Sequence, residues 1–144
     1  MVNLPHDPAD RTRHPLASQV DAKRISDAIT AAEKETTGKI YVTLAPRLFG
    51  QHHRYANHAF ARLRASHPMD ENGVLLFVVP SQRSLRVLGG AGIHQKVGQA
   101  FWDRLANEIA DQIKTGDLTI GIVHGVTEAG QVLAEHYPRP RLPL

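Results

Sequence analysis

The stretch that decides the fold spans residues 73–92 and reads GVLLFVVPSQRSLRVLGGAG. Residues 74–79 form a continuous apolar run, which is typical of a central strand buried on both faces. After Pro80 the chain turns into residues 83–88, where polar and apolar side chains alternate as in a strand with one wetter face. Because the connection is so short, we predict that the two strands are antiparallel neighbours.

A helix, a strand and a second helix are predicted upstream of this stretch. Apolar residues recur at helical spacing over residues 18–36, and Ser18 with Asp21 resembles a capping box at the start. Residues 39–45 are β-branched and aromatic and end before a proline, which favours a strand. Helical spacing returns over residues 53–67. A strand, a helix and a further strand in this order form a crossover unit, so we expect the two strands to be parallel.

Two more helices are predicted downstream. A long one covers residues 94–115 with an apolar stripe that includes Trp102, and Gly116 lies just beyond its end. Asp117 suits the N-cap of a last helix. The predicted fold class is α/β, with a small mixed β-sheet, the element order α-β-α-β-β-α-α, and helices packed on both faces.

Composition fits one globular domain and excludes several classes of protein. The chain has 144 residues, no cysteine and a formal charge of +3. The lack of cysteine excludes disulfide scaffolds, thiol nucleophiles and cysteine-ligated metals, and the charge is too small to indicate nucleic-acid binding. We divide the chain into a flexible N-terminal segment over 1–16, an α/β domain over 17–138 and a basic, proline-rich tail over 139–144. No stretch has the apolar length of a signal peptide or membrane span, so we expect a soluble, cytoplasmic protein without direct membrane insertion.

The predicted topology brings several turns together at one end of the sheet. The two parallel strands begin at this end and the antiparallel strand finishes there. Exposed turns held by a rigid sheet commonly bind ligands, and a following helix N-terminus adds N–H groups and partial positive charge. The candidate ligand-binding residues are Gly38, Lys39, Asp70, Glu71, Asn72, Gly73, Gly89, Gly90 and Gly92. The alternative is that the glycines only serve the turns.

Other catalytic and metal-binding patterns are weak in this sequence. There are nine histidines but no HExxH pattern, and His53 and His58 are five residues apart, a spacing that does not share one helix face well. No serine lies in a GxSxG elbow. Gly90 and Gly92 begin like a dinucleotide fingerprint, but Gln95 replaces its third glycine. The sequence therefore assigns no catalytic residue.

Several segments resemble the TPM domain family. Residues 72–79 are similar to a strand signature of that family, and residues 83–97 to its next strand, glycine turn and helix start. Trp102 and the glycines of the last helix also fit, so the resemblance covers roughly residues 25–138. It implies a small sheet with helices on both sides. Family members are often exported and membrane-anchored, whereas this chain looks like a stand-alone, soluble form.

The resemblance also implies a divalent cation, calcium or magnesium, held by acidic residues at the same end of the sheet. This chain departs from that pattern, because Lys39 stands where many members have Glu and Gly90 where they usually have Asp. Asp70 and Glu71 remain as candidate metal ligands, whereas calcium takes about six to eight oxygen ligands. We therefore expect a lost or weakened cation site, and hypothesise that Lys39 and the amides of residues 89–92 favour an anion instead.

Three functions remain open. The first is a small-ligand or protein-binding accessory module, whose partner is an unknown small anion or a protein and not a nucleic acid. The alternative is a phosphatase-type hydrolase, which some members of the family are, acting on phosphate esters with a divalent cation and with Asp70 or Glu71 orienting the water. The third is a protein-interaction role for the basic tail.

Overall fold

The computed structural model describes residues 2–4, 20–68 and 70–140 of the chain. The strands are β1 (Val2–Leu4), β2 (Lys39–Leu44), β3 (Gly73–Val79) and β4 (Ser84–Gly89). The helices are α1 (Ala22–Glu33), α2 (His52–Arg64), α3 (Ala91–Val97), α4 (Gln99–Thr115) and α5 (Leu118–His136), and a 3-10 turn, Pro80–Gln82, joins β3 to β4. The strands form one sheet in the order β1-β2-β3-β4, so β4 is an edge strand.

The pairing of the strands confirms the predicted mixed sheet. β2 and β3 are parallel, with Lys39 opposite Gly73, and β3 and β4 are antiparallel, with Val74 opposite Gly89. Every residue of β3 is buried, as its apolar sequence predicts for a central strand. β1 adds an antiparallel partner to β2 that no predicted element covered. β1 lies within the segment predicted over 1–16, and the other residues of that segment lie outside the described residues. Ser18 and residues 141–144 of the predicted tail also lie outside them.

Helices cover both faces of the sheet, as predicted. Successive side chains of a strand point to opposite faces. Ile40 and Val42 accordingly pack with α1, α4 and α5, whereas Tyr41 and Phe77 pack under α2 on the other face. None of the described helices is long and apolar enough to cross a membrane.

The long helix predicted over residues 94–115 is in fact two helices, α3 and α4. Gly98 separates them with φ 80° and ψ 166°, a backbone conformation that is essentially restricted to glycine. The prediction missed this break because the apolar spacing from Val97 to Phe101 continues across it.

The starts of α1 and α5 follow from their capping residues. Asp21 is itself the N-cap of α1, and its carboxylate accepts a hydrogen bond from the Arg24 amide at 3.1 Å. Asp117 caps α5 as predicted and accepts hydrogen bonds from the amides of Thr119 and Ile120. Such side chains satisfy amides that have no partner within the helix.

Candidate functional site

The predicted turns do meet where β2 and β3 begin and β4 ends. The Lys39 amide donates to the Asn72 carbonyl at 3.1 Å, and the Gly90 amide donates to the Gly73 carbonyl at 2.8 Å. The Asn72 side-chain amide also donates to the Thr37 hydroxyl at 3.3 Å. The backbone of these candidate segments is therefore one connected unit.

The start of α3 is bound to the turn that precedes β3. The Gly92 amide donates to the Asp70 carbonyl at 3.0 Å, and the Ile93 amide donates to the Glu71 carbonyl at 2.7 Å. A side chain at residue 92 would collide with Glu71, so this close approach requires a glycine. Of the amides proposed for an anion cradle, those of Gly90 and Gly92 thus donate to carbonyl groups of the chain itself.

Both candidate acids at the sheet end have a side-chain partner. Asp70 forms an ion pair with Arg64, the last residue of α2. Glu71 accepts a hydrogen bond of 2.6 Å from the Tyr137 hydroxyl, and the Lys96 ammonium lies 5.5 Å from the centre of the Tyr137 ring. Burial, together with the hydrogen bond to Glu71, raises the pKa of Tyr137 to about 12. The chain thus supplies its own partners for this pair of carboxylates.

The Lys39 side chain lies apart from the glycine turn. It lines a small hollow of about 350 Å³ together with Glu33 and Arg139. Gly38 precedes it, and a side chain there would come within 2.9 Å of the Asn72 carbonyl. The structure therefore joins Lys39 to the sheet end through its backbone but places its ammonium group in a different hollow from the one that Gly89 lines.

The side chains at the sheet end do not fit a divalent cation. Among the described residues there is no group of three or more histidine, aspartate or glutamate side chains that could hold a metal ion. The guanidinium of Arg64 already pairs with Asp70, and its positive charge opposes a cation at this carboxylate. The phenol of Tyr137 engages Glu71.

A groove of about 820 Å³ extends from the sheet end along the outer edge of β4, and we call it the β4 groove. Residues 85–89 form its floor. α2 provides one wall, which includes Phe60 and Arg64, and α4 provides the other, which includes Trp102 and Asp103. Asp70 also lines the β4 groove, so the groove is continuous with the predicted site.

His94 links the β4 groove to the core. Trp102 is only 2% exposed, and its indole N–H donates to Nδ1 of His94 at 3.1 Å. Because an indole nitrogen only donates, Nδ1 must accept, and the neutral imidazole carries its proton on Nε2. His94 therefore lines the β4 groove with a fixed tautomer.

Sequence reasoning found the sheet end but missed the β4 groove. Of the candidate residues, only Asp70 and Gly89 line it, whereas Arg64, Arg86 and His94 were not predicted. One signal was available, because a crossover helix between parallel strands ends where the next strand begins. Arg64 is the last residue of that helix and therefore lies close to Asp70.

Comparisons with known proteins support the fold and the family. Residues 16–132 match the TPM domain. The solution structure of BA42 from the psychrophilic bacterium Bizionia argentinensis is 34% identical, with a TM-score of 0.73, and the match covers 88% of this chain and 86% of that one. The N-terminal domain of a protein from P. gingivalis shares the fold at 18% identity, with a TM-score of 0.65 and coverage of 87% and 81%.

The N-terminal domain of a Corynebacterium glutamicum protein also shares the fold, at 18% identity and a TM-score of 0.60, with coverage of 78% of this chain and 71% of that one. No curated protein matches the chain. The family match spans most of the sequence, and the relative from Bizionia argentinensis exceeds 30% identity over most of both chains. The chain therefore belongs to the TPM domain family.

Proposed function

We propose that this chain is a non-catalytic binding module and that the β4 groove is its ligand-binding surface. The observation that carries the proposal is the β4 groove itself. Its volume of about 820 Å³ lies within the ~300–1,000 Å³ of ordinary ligand sites. The buried side chains of Leu85 and Val87 give it an apolar floor, and Asn57, Arg64 and Asn107 add polar groups on the walls.

The partners of the two acids support binding over hydrolysis. Phosphoryl transfer needs a group that orients the attacking water and a positive charge on the transferred phosphoryl group. Asp70 is paired with Arg64 and Glu71 accepts from Tyr137, so each carboxylate already has a partner within the chain. Arg86 lines the β4 groove and has no ion-pair partner in the described part of the chain, so it favours an anionic group on the ligand.

Turnover of p-nitrophenyl phosphate separates the proposed module from a phosphatase. The assay compares the wild-type chain with Asp70→Ala, each with magnesium, with calcium and with a chelator. We expect the same background rate in every condition. Turnover that requires a divalent cation and disappears in Asp70→Ala would replace the proposal with the phosphatase-type hydrolase.

Binding is tested by amide chemical shifts of the labelled chain, titrated with inorganic phosphate and with a set of small aromatic carboxylates and amides. We expect saturable shifts at residues 85–89 and on both helical walls of the β4 groove. Ala106→Trp, which fills the β4 groove, should abolish these shifts, whereas Ala61→Trp adds the same side chain to α2 outside the groove and should not. Shifts that survive Ala106→Trp would place the binding surface elsewhere.

A further inference from the structure

We infer that the β4 groove takes an extended peptide segment of another protein, which pairs with β4 as a fifth strand of the sheet. The inference rests on the proposed function and names its partner. Its basis is the direction of the backbone groups of β4, the shape of the β4 groove and the charge on its walls.

The hydrogen bond from the Gly90 amide to the Gly73 carbonyl fixes which backbone groups of β4 point outward. In an antiparallel pair, alternate residues direct both their N–H and C=O groups to the neighbouring strand. Since Gly90 bonds to β3, the even-numbered residues of β4 also face β3 in the observed register. The N–H and C=O groups of Leu85, Val87 and Gly89 therefore point away from β3.

These outward groups lie on the floor of the β4 groove. Among residues 20–68 and 70–140, no hydrogen bond takes up the amides or carbonyls of Leu85, Val87 and Gly89. A row of such groups on an edge strand is a template for pairing with another extended chain. Peptides bound in this way gain affinity from main-chain hydrogen bonds and specificity from alternate side chains.

The two walls determine which side chains the peptide presents. Leu85 and Val87 belong to the face of the sheet that packs with α4. Leu88 belongs to the face under α2, and so does Phe77, which is the register partner of Arg86 on β3. Side chains of a paired strand alternate between these faces in the same way. One set of peptide side chains therefore meets α2 and the other set meets α4.

The α2 side of the β4 groove carries one unpaired positive charge, and the α4 side is partly apolar. Arg64 and Arg86 both lie on the α2 side. Arg64 is paired with Asp70, whereas in the described part of the chain Arg86 has no ion-pair partner. Trp102 and Ala106 line the α4 side. The peptide that fits best alternates acidic residues, directed to the α2 side, with small apolar residues, directed to the α4 side.

A second copy of this chain fits the β4 groove less well than a separate peptide. Because β4 is the floor between two helical walls, a symmetric pairing of two β4 strands would bring α2 and α4 of one copy against those of the other. A single extended segment without flanking helices meets no such obstacle. The partner is therefore an exposed, extended segment with acidic residues at alternate positions.

Amide hydrogen exchange tests the pairing on the full chain. The probe is the blocked peptide acetyl-Thr-Val-Glu-Val-Glu-Val-Thr-amide, added at millimolar concentration. We expect exchange at Leu85, Val87 and Gly89 to slow severalfold, because their amides gain a partner. Exchange at Arg86 and Leu88, whose amides already donate to β3, should change little. The same peptide with alternate backbone amides methylated should not bind.

Charge reversal provides the matched variants. We expect Arg86→Glu to weaken binding of the probe by about fivefold, while Arg62→Glu, on α2 outside the β4 groove, leaves it unchanged.

Two results would overturn strand pairing. One is equal binding of the methylated peptide, and the other is protection from exchange that does not alternate along β4. If small ligands shift the amide signals of the β4 groove and the peptide does not, the inference fails and the proposed function stands. If neither the small ligands nor the peptide shift these signals, the inference and the proposed function both fail. A concentration-dependent dimer that buries β4 would assign the edge to a second copy instead.

Discussion

At the residue scale, Asp70 and Glu71 are adjacent in sequence but have partners of different chemistry. Asp70 pairs with the guanidinium of Arg64, and both side chains are more than half exposed. Such exposed pairs contribute only ~0–1 kcal/mol to stability, so the main consequence of Arg64 is electrostatic. It places a fixed positive charge at the carboxylate that a divalent cation would need.

The bond between Tyr137 and Glu71 predicts a specific pH dependence. Burial and this bond raise the pKa of Tyr137 from 10.0 to about 12. Below pH 10 the phenol is protonated in both the folded and the unfolded state, and the contribution to stability is complete. As the pH rises from 10 towards 12 the unfolded state loses its proton first, so the free energy of unfolding should fall.

Glu71→Gln is the direct test of this linkage. It removes the carboxylate charge, so we expect the pKa of Tyr137 to fall towards 10 and part of the alkaline loss of stability to disappear. Carbon chemical shifts of the tyrosine rings follow the titration, with Tyr137→Phe identifying the signal. An unchanged pKa of Tyr137 in Glu71→Gln would show that burial alone causes the shift.

His94 and Trp102 predict a contrast between two substitutions. His94→Phe leaves the buried indole N–H without an acceptor, which should lower the free energy of unfolding by about 1–3 kcal/mol. His94→Gln offers an amide oxygen in its place and should lose less. Urea unfolding followed by Trp102 fluorescence measures both. Equal losses would mean that the hydrogen bond contributes nothing beyond the packing of the imidazole.

At the element scale, the sequence predicts those elements whose pattern is strong over their whole length. The apolar run of β3 and the alternation of β4 predict a central strand and its antiparallel neighbour, and the structure confirms both. Two elements escape prediction for physical reasons. β1 has only three residues, too few to carry a pattern, and the α3–α4 break depends on the backbone of Gly98, which apolar spacing does not report.

The break at Gly98 predicts the effect of a small substitution. A Cβ atom there would meet nothing within 4 Å, so space is not the constraint. The constraint is the positive φ, so Gly98→Ala should lower the free energy of unfolding by about 1–3 kcal/mol. Chemical denaturation that shows no loss for Gly98→Ala would mean that the two helices fuse without strain.

At the scale of the whole molecule, the proposed binding surface depends on how the edge of the sheet is enclosed. The order of elements predicts which turns meet at the sheet end, because parallel and antiparallel pairing fix where each strand begins and ends. It does not predict the β4 groove, because the walls depend on how α2 and α4 pack on opposite faces of the sheet. Only that packing brings Arg64, Arg86 and His94 to one groove.

The acidic residues at the sheet end show why family membership alone does not assign a metal-dependent activity. The chain has the TPM domain fold, but at two positions where the resemblance implies acids this sequence has Lys39 and Gly90. The acids that remain are held by Arg64 and Tyr137. The proposed binding role fits these residues better than chemistry on a bound cation.

The most direct test is an amide chemical-shift titration of the folded chain with calcium and with magnesium. We predict that millimolar concentrations of either cation leave residues 70–73 and 89–92 unshifted, because the carboxylates at this end already have partners within the chain. Arg62→Glu, on α2 outside the β4 groove, serves as a control for nonspecific charge effects. Saturable shifts at Asp70 and Glu71 with either cation in the wild-type chain would contradict this prediction and return the site to cation binding.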